Sequence, residues 1–247
     1  MKITFIGSSH GMPMPHRNCQ CIMIEAGQKA YLVDVGGPAI NWMVDNNFEK
    51  EKLKAVFVTH MHGDHTNDLL NLTDLATWCY RTMDFDVFLP EQRGIAPFEA
   101  MLKMNNINSD VYPNDRIRFK AIENKNVYED DTIKVTAYPT EHMHNGTLPA
   151  YGYLIESMGK KVYISGDLHG TLRDYPEITN QIELDAFIVE CAHFPFPELQ
   201  KRLENTKAKN VLITHVHPQS KFDEINEYIK TAKVETVAVN DNDWFEI

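Results

Sequence analysis

The chain is 247 residues long, 43% hydrophobic and 24% charged, which suits a folded protein with an ample core and excludes a disordered or fibrous one. Its 35 acidic against 24 basic side chains give a formal charge of −11, so no general attraction for long nucleic acid is expected. No apolar run at the N-terminus is long enough for a signal or spanning helix, and four cysteines (Cys19, Cys21, Cys79, Cys191) make no disulfide framework, so reduced thiols and a cytoplasmic, membrane-free protein are expected. In chain order, strands are predicted at "KITFI", "CIMIE" and "AYLVDV", then a helix at "PAINWMVDNNF" and a strand at "KAVFVT". A long helix over "NDLLNLTDLATWCYRT" follows, with Trp78 and Tyr80 expected to face the core, then the strand "DVFLP" and the helix "IAPFEAMLKMN". The strands "IRFKAI", "IKVTAYP", "YGYLIE", "KVYISGD" and "AFIVEC" come next. The helix "FPELQKRLEN", the strand "NVLITH", the helix "FDEINEYIKTA" and the strand "TVAVN" complete the series. The "NDNDW" segment reads as a turn between two final strands rather than a cation site. No linker interrupts the chain, so 1–247 is expected to form a single α/β domain of two sheets with helices outside them, a four-layer αββα sandwich.

Polar side chains stand at the C-terminal ends of several of these strands. Asp34 ends "AYLVD", His60 ends "AVFVTH", His142 follows "VTAYPTE", Asp167 ends "VYISGD" and His215 ends "VLITH". Strand ends in α/β folds open onto ligand crevices, so these residues are expected on one rim. The densest group is "THMHGDH". In an extended segment His60 and His62 point the same way, and Gly63 allows a change of direction that turns Asp64 and His65 to a second position. Imidazole and carboxylate are the donors that zinc and similar divalent ions take, so the cluster offers parts of two adjacent metal sites.

"THMHGDH" resembles the signature of the metallo-β-lactamase superfamily, and the later motifs match in order. The resemblance implies an αββα fold holding divalent metal between its sheets. It makes Asp34 of "LVDVG" a brace for the histidine loop, Asp167 of "SGD" a carboxylate bridging two metals, and His215 of "LITH" the last ligand. His60, His62 and a third-motif histidine would hold one ion, and Asp64, His65 and His215 the other. "PTEHMHNGTLPAYGY" offers both His142 and His144 for the third motif; His142, nearer the strand end, is favoured. The cofactor expected is thus a pair of divalent ions, zinc by default, with manganese or iron suited to the same donors.

Within the superfamily, "FIGSSHGMPMPHRNCQC", "LPAYGYLIE" and "IVECAHF" followed by "AKNVLITHVHP" resemble the ribonuclease Z and small phosphodiesterase branch. That likeness implies that His193 positions or protonates the scissile phosphate, supported by an acidic neighbour, here Glu190. A leaving alkoxide benefits from a proton donor, and histidine titrates in the useful range. The chain departs from that branch in two places: residues 66–141 hold no flexible arm rich in Gly, Pro and basic residues, and "THVHPQ" lacks the Ser and Arg usual after the last ligand. The reading is a hydrolase in which Asp64, Asp167, His193 and Glu190 serve catalysis on a small or short phosphodiester, such as a cyclic phosphate or nucleotide. Hydrolysis of a lactone, thioester or amide on the same fold is the alternative, and a non-catalytic metal or ligand sensor a second. His10 and His169 are expected near the mouth, and His16 and His217 on the surface. The expected partner is the substrate alone, with a homodimer allowed.

Overall fold

The computed structural model describes residues 1–12, 14–106 and 115–247. Pro13 of the opening motif and part of the 66–141 stretch therefore lie outside the described residues. Six strands of the first half, β1 (Lys2–Gly7), β2 (Cys21–Ala26), β3 (Lys29–Val33), β4 (Leu53–Phe57), β5 (Phe85–Leu89) and β6 (Ile117–Ala121), share a sheet with β14 (Trp244–Glu246). Its order is β14-β1-β2-β3-β4-β5-β6, antiparallel from β14 to β3 and parallel from β3 to β6. The second sheet holds β7 (Asn126–Glu129), β8 (Lys134–Pro139), β9 (Tyr151–Ser157), β10 (Lys160–Ile164), β11 (Leu184–Cys191), β12 (Ala208–Val216) and β13 (Glu235–Ala238). Here the neighbours β10 to β13 run parallel and β7 to β10 antiparallel, so each sheet is half of each kind.

Side chains alternate across a strand, and the burial of both strand faces fixes the layering. In β2, Ile22 and Ile24 enter the core between the sheets, while Cys21 and Met23 pack toward helices. In β11, Ala186 and Ile188 enter that same core, and Phe187 and Val189 face the other helical layer. The outer layers are α1 (Ala39–Asp45), α3 (Leu69–Trp78) and α4 (Ile95–Asn105) on the first sheet, and α5 (Ile178–Gln181), α6 (Phe196–Leu203) and α7 (Lys221–Ile229) on the second; the short α2 (Gly63–Thr66) lies at their edge. The architecture is the four-layer αββα sandwich. Fully buried aromatics such as Phe57 and Tyr153 stabilise its centre by about 1.5–3 kcal/mol each.

Several expectations need correction. The long helix predicted over 67–82 is shorter, α3 alone, and stops at Trp78, with the separate turn α2 just before it. Trp78 is 54% exposed rather than core-facing, its indole near Asp74, whereas Tyr80 packs at the margin of the core. The strand β7 and the helix α5, each of only four residues, carry too little periodicity to stand out. "NDNDW" does form a turn, but its flanking strands belong to different sheets. All four cysteines are free, with Cys79 exposed. Among the described residues no helix is long and apolar enough to cross a membrane.

Candidate metal centre

The rim at the C-terminal ends of β3, β4, β8, β10 and β12 gathers the polar residues. Asp34 follows β3, His60 follows β4, His142 follows β8, Asp167 follows β10, and His215 lies within β12. His62 precedes α2, which Gly63 opens, and this helical turn carries Asp64 and His65 back over the rim. The change of direction comes from the start of a helix and needs no left-handed glycine. Left-handed backbone occurs instead at Asp34 (φ 59°) and His215 (φ 55°), a conformation uncommon outside glycine. Gly36 makes the packing of these loops feasible, because a Cβ there would lie 1.6 Å from the Asp64 carbonyl oxygen.

Asp34 organises the first loop. Its buried carboxylate accepts the Thr59 N–H at 2.7 Å, the Thr59 hydroxyl at 2.9 Å and the His65 Nδ1–H at 2.7 Å. With its proton committed to Asp34, the Thr59 oxygen accepts from His60 Nδ1 at 3.1 Å. Both histidines thereby present Nε2 to the centre. His142 does the same, its Nδ1–H donating to the Leu168 carbonyl at 3.3 Å.

The inward atoms converge. His62 Nδ1 stands 3.0 Å from His60 Nε2 and 3.2 Å from His142 Nε2. Asp167 Oδ2 lies 3.6 Å from His60 Nε2, 3.5 Å from His65 Nε2 and 3.7 Å from His142 Nε2. Asp167 Oδ1 is 3.6 Å from His215 Nδ1, and His215 Nε2 is 3.2 Å from Asp64 Oδ2. Donors about 2.0–2.1 Å from a tetrahedral ion sit roughly 3.3–3.5 Å from each other, and the separations here, 3.0–3.7 Å, straddle that spacing. The donors group as His60, His62, His142 and Asp167, as Asp64, His65 and His215, and as Asp167, His193 and His215. His65 Nε2 and His215 Nδ1 are buried without a hydrogen-bond partner, an expensive state that coordination to a cation would relieve. These residues fit divalent metal.

Electrostatics agree. Burial holds the His60, His62 and His142 imidazoles below their ordinary value, leaving them neutral and able to donate lone pairs. Burial also works against charge on His65 and Asp167, yet each is kept charged by its neighbours: His65 is raised by Asp167 and Asp34, and Asp167 is lowered by His215, His65 and His60. Without metal, protonated His65 thus compensates the buried carboxylates.

His193, after β11, lies at the edge of the centre with Nε2 3.7 Å from Asp167 Oδ2. Its Nδ1–H donates to the buried Glu190 carboxylate at 2.9 Å, and that carboxylate also accepts the N–H groups of Leu168 (3.0 Å) and Ala192 (2.6 Å). Burial lowers the His193 imidazole, but Glu190 outweighs it and brings the group up to about 9. His10 stacks on His217 (4.8 Å between rings) and lies 5.6 Å from the His193 ring, so His217 belongs to the mouth rather than the free surface. His16 is exposed, as is His144, whose left-handed backbone (φ 46°) stands in the loop beyond His142. His169 binds Asn145 and Thr171 at the mouth. Thr59 and Asp174 escape sequence reading; Asp174 accepts the N–H groups of Glu141 (2.7 Å) and His169 (3.0 Å), tying the His142 loop to the Asp167 loop. A cleft of about 330 Å³ adjoins the centre, lined by His10, Gly11, Arg17, Cys19, Asn67 and others. A larger cavity of about 460 Å³, beside Phe88 and Phe119, contains none of the donors.

The sequence profile of the family described as Anti-Pycsar protein Apyc1 matches residues 1–224, nearly the whole chain. The chain belongs to the Anti-Pycsar protein Apyc1 family. Further likenesses are to ribonuclease Z in sequence and to metallo-β-lactamase fold proteins in structure. Ribonuclease Z of Prochlorococcus marinus subsp. pastoris is 29% identical over 167 residues, covering 65% of this chain and 51% of that protein. The chain thus spans about half the length of the curated relatives it matches. The metallo-β-lactamase fold protein YhfI of Bacillus subtilis superposes with a TM-score of 0.78 at 18% identity, covering 99% of each chain. Human tRNase Z, short form, superposes at 0.75 and 17% identity, covering 100% of this chain and 99% of that one. At such identities these two structures show the fold alone. The Apyc1-family match covers every donor named above, from His60 to His215.

Proposed function

We propose that this Apyc1-family chain is a metal-dependent phosphodiesterase acting on a small or short diester, such as a cyclic phosphate or nucleotide. The observation that carries the reading is the pairing of a converging His/Asp donor cluster with a proton-bearing imidazole, His193, at its edge. In this reading His60, His62 and His142 hold one cation, Asp64, His65 and His215 a second, and Asp167 serves both. Cations there supply Lewis acidity and activate water for attack on phosphorus. The chain supplies the rest. Asp34 and Thr59 orient His60 and His65, and the buried imidazoles stay unprotonated for their ligand role. His193 keeps its Nδ1–H on Glu190 and offers the Nε2 proton to the departing alkoxide. That step is what an alkoxide leaving group needs, whether or not a more acidic one such as p-nitrophenolate gains from it.

The likeness to ribonuclease Z supports a phosphodiester substrate. The formal charge of −11 and the modest cleft favour a small one over a long nucleic acid. The test is turnover of bis-p-nitrophenyl phosphate against a panel of lactones and thioesters, with metal content measured on the same sample. Diester turnover requiring bound divalent metal is expected. Turnover confined to carbon esters or thioesters, or a purified protein unable to bind such a metal, refutes the reading.

A further inference from the structure

Lys221 opens α7 and directs its ammonium at the loop that carries His193. It donates to three main-chain carbonyl oxygens there: Cys191 at 3.1 Å, Ala192 at 2.8 Å and Phe194 at 2.6 Å. An ammonium has three N–H donors, and these oxygens can take all of them. Three carbonyl dipoles pointed at one spot repel, so the loop holds this shape because a cation sits at their focus. From the other side the Glu190 carboxylate takes the N–H groups of Ala192 (2.6 Å) and His193 (3.3 Å). The segment is clamped between a cation on its carbonyls and an anion on its amides. With those carbonyls turned toward α7, the His193 ring is left facing Asp167 and Glu190. The third wall is close: a Cβ on Gly170 would lie 3.2 Å from the His193 oxygen.

We infer that Lys221 is a positioning residue for His193, its ammonium fixing residues 191–194 so that Nε2 meets the reacting centre. The inference rests on the reading of His193 as proton donor, but its test separates the two. Lys221→Met keeps the stem and removes the charge. It is expected to lower kcat on a cyclic nucleotide, whose leaving group is an alkoxide, about ten- to a hundredfold, since a misplacement of about 1 Å can cost that much, with KM and metal stoichiometry unchanged. In the metal-free protein the ring ¹⁵N resonances of His193 should move while those of His60 stay. Lys221→Ala leaves the space of a propylammonium ion, so added n-propylammonium should restore kcat to this variant and leave the wild type unaffected. In the double variant with His193→Ala, the two losses should overlap rather than multiply.

A Lys221→Met protein within twofold of wild type, with unmoved His193 resonances, overturns the inference, as do multiplying losses in the double variant. If the neutral variants fail to fold, Lys221→Arg decides, because a flat guanidinium cannot meet three converging oxygens as an ammonium does. A lowered kcat with displaced His193 resonances sustains the positioning role, and wild-type values for both refute it. Full activity in His193→Ala sinks the proton-donor reading alone, since displaced His193 resonances in Lys221→Met would still show Lys221 setting that ring.

Discussion

Asp34→Asn isolates the brace behind the donors. The amide can still accept from Thr59, but where the Asp34 carboxylate met His65 Nδ1 at 2.7 Å it now presents either an N–H or a weaker neutral acceptor. If the amide donates, Nδ1 becomes the acceptor and the ring proton moves to Nε2, the atom that faces Asp167. Removing a partner of this kind typically costs a metal site ten- to a hundredfold in affinity, which is about 1.4–2.7 kcal/mol. By mass action the stability gained from saturating metal shrinks by the same amount, and for a chain of this size that is roughly 3–10 °C of Tm. The assay is thermal melting with and without a zinc titration, beside chelator competition for affinity. The metal-free Tm should fall less than the metal-induced gain, because the amide preserves the buried contacts to Thr59. Unchanged metal affinity in a folded Asp34→Asn protein would show that the Asp34–His65 hydrogen bond does not set the ligand's tautomer.

Asp167→Ala should abolish diester turnover and lower bound metal, measured by elemental analysis, because this carboxylate lies between both donor groups. Retention of full metal would remove it from the centre. His193→Ala should keep the metal and slow catalysis; the wild-type rate should be lost as pH rises through about 9, the value to which Glu190 raises His193, or somewhat lower because cations at the centre favour deprotonation. The same shift implies that, in the metal-free protein, the Glu190–His193 contribution to stability is complete below about pH 6.5 and gone above about pH 9, which melting at several pH values reads. An alkaline limb that persists in His193→Ala would assign it to another group. Gly36→Ala drives a Cβ into the Asp64 carbonyl, and since backbone cannot yield cheaply it should cost about 3 kcal/mol or more and loosen metal binding, as a melt and a metal assay will show. Wild-type behaviour there would mean the two loops can part without loss.

Much of the site was legible because the decisive residues end strands. A strand's apolar alternation shows roughly where it stops, and the structure brings the polar residues near those points, His60, Asp167 and His215, to one rim. The layered fold followed from the same runs. What was hidden depends on partners distant in sequence. Whether His142 or His144 turns inward depends on a hydrogen bond from His142 to Leu168 and on left-handed backbone at His144, neither written in the local pattern. Trp78 looked like core because a helical pattern ran through it, yet the helix ends there and the ring turns outward. Lys221 carries no local signal at all, since its partners are carbonyl oxygens some thirty residues away that any sequence would supply.

The pairing of β14 with β1 gives the last few residues a protective task. Lys2, Ile3 and Thr4 match Glu246, Phe245 and Trp244, and the Phe245 ring meets Phe5 edge-on at 6.1 Å. Stripped of that short cover, β1 would present a row of unpaired amides and carbonyls beside apolar side chains, a template on which another molecule's strand can add. Loss of residues 244–246 should therefore show in self-association and solubility.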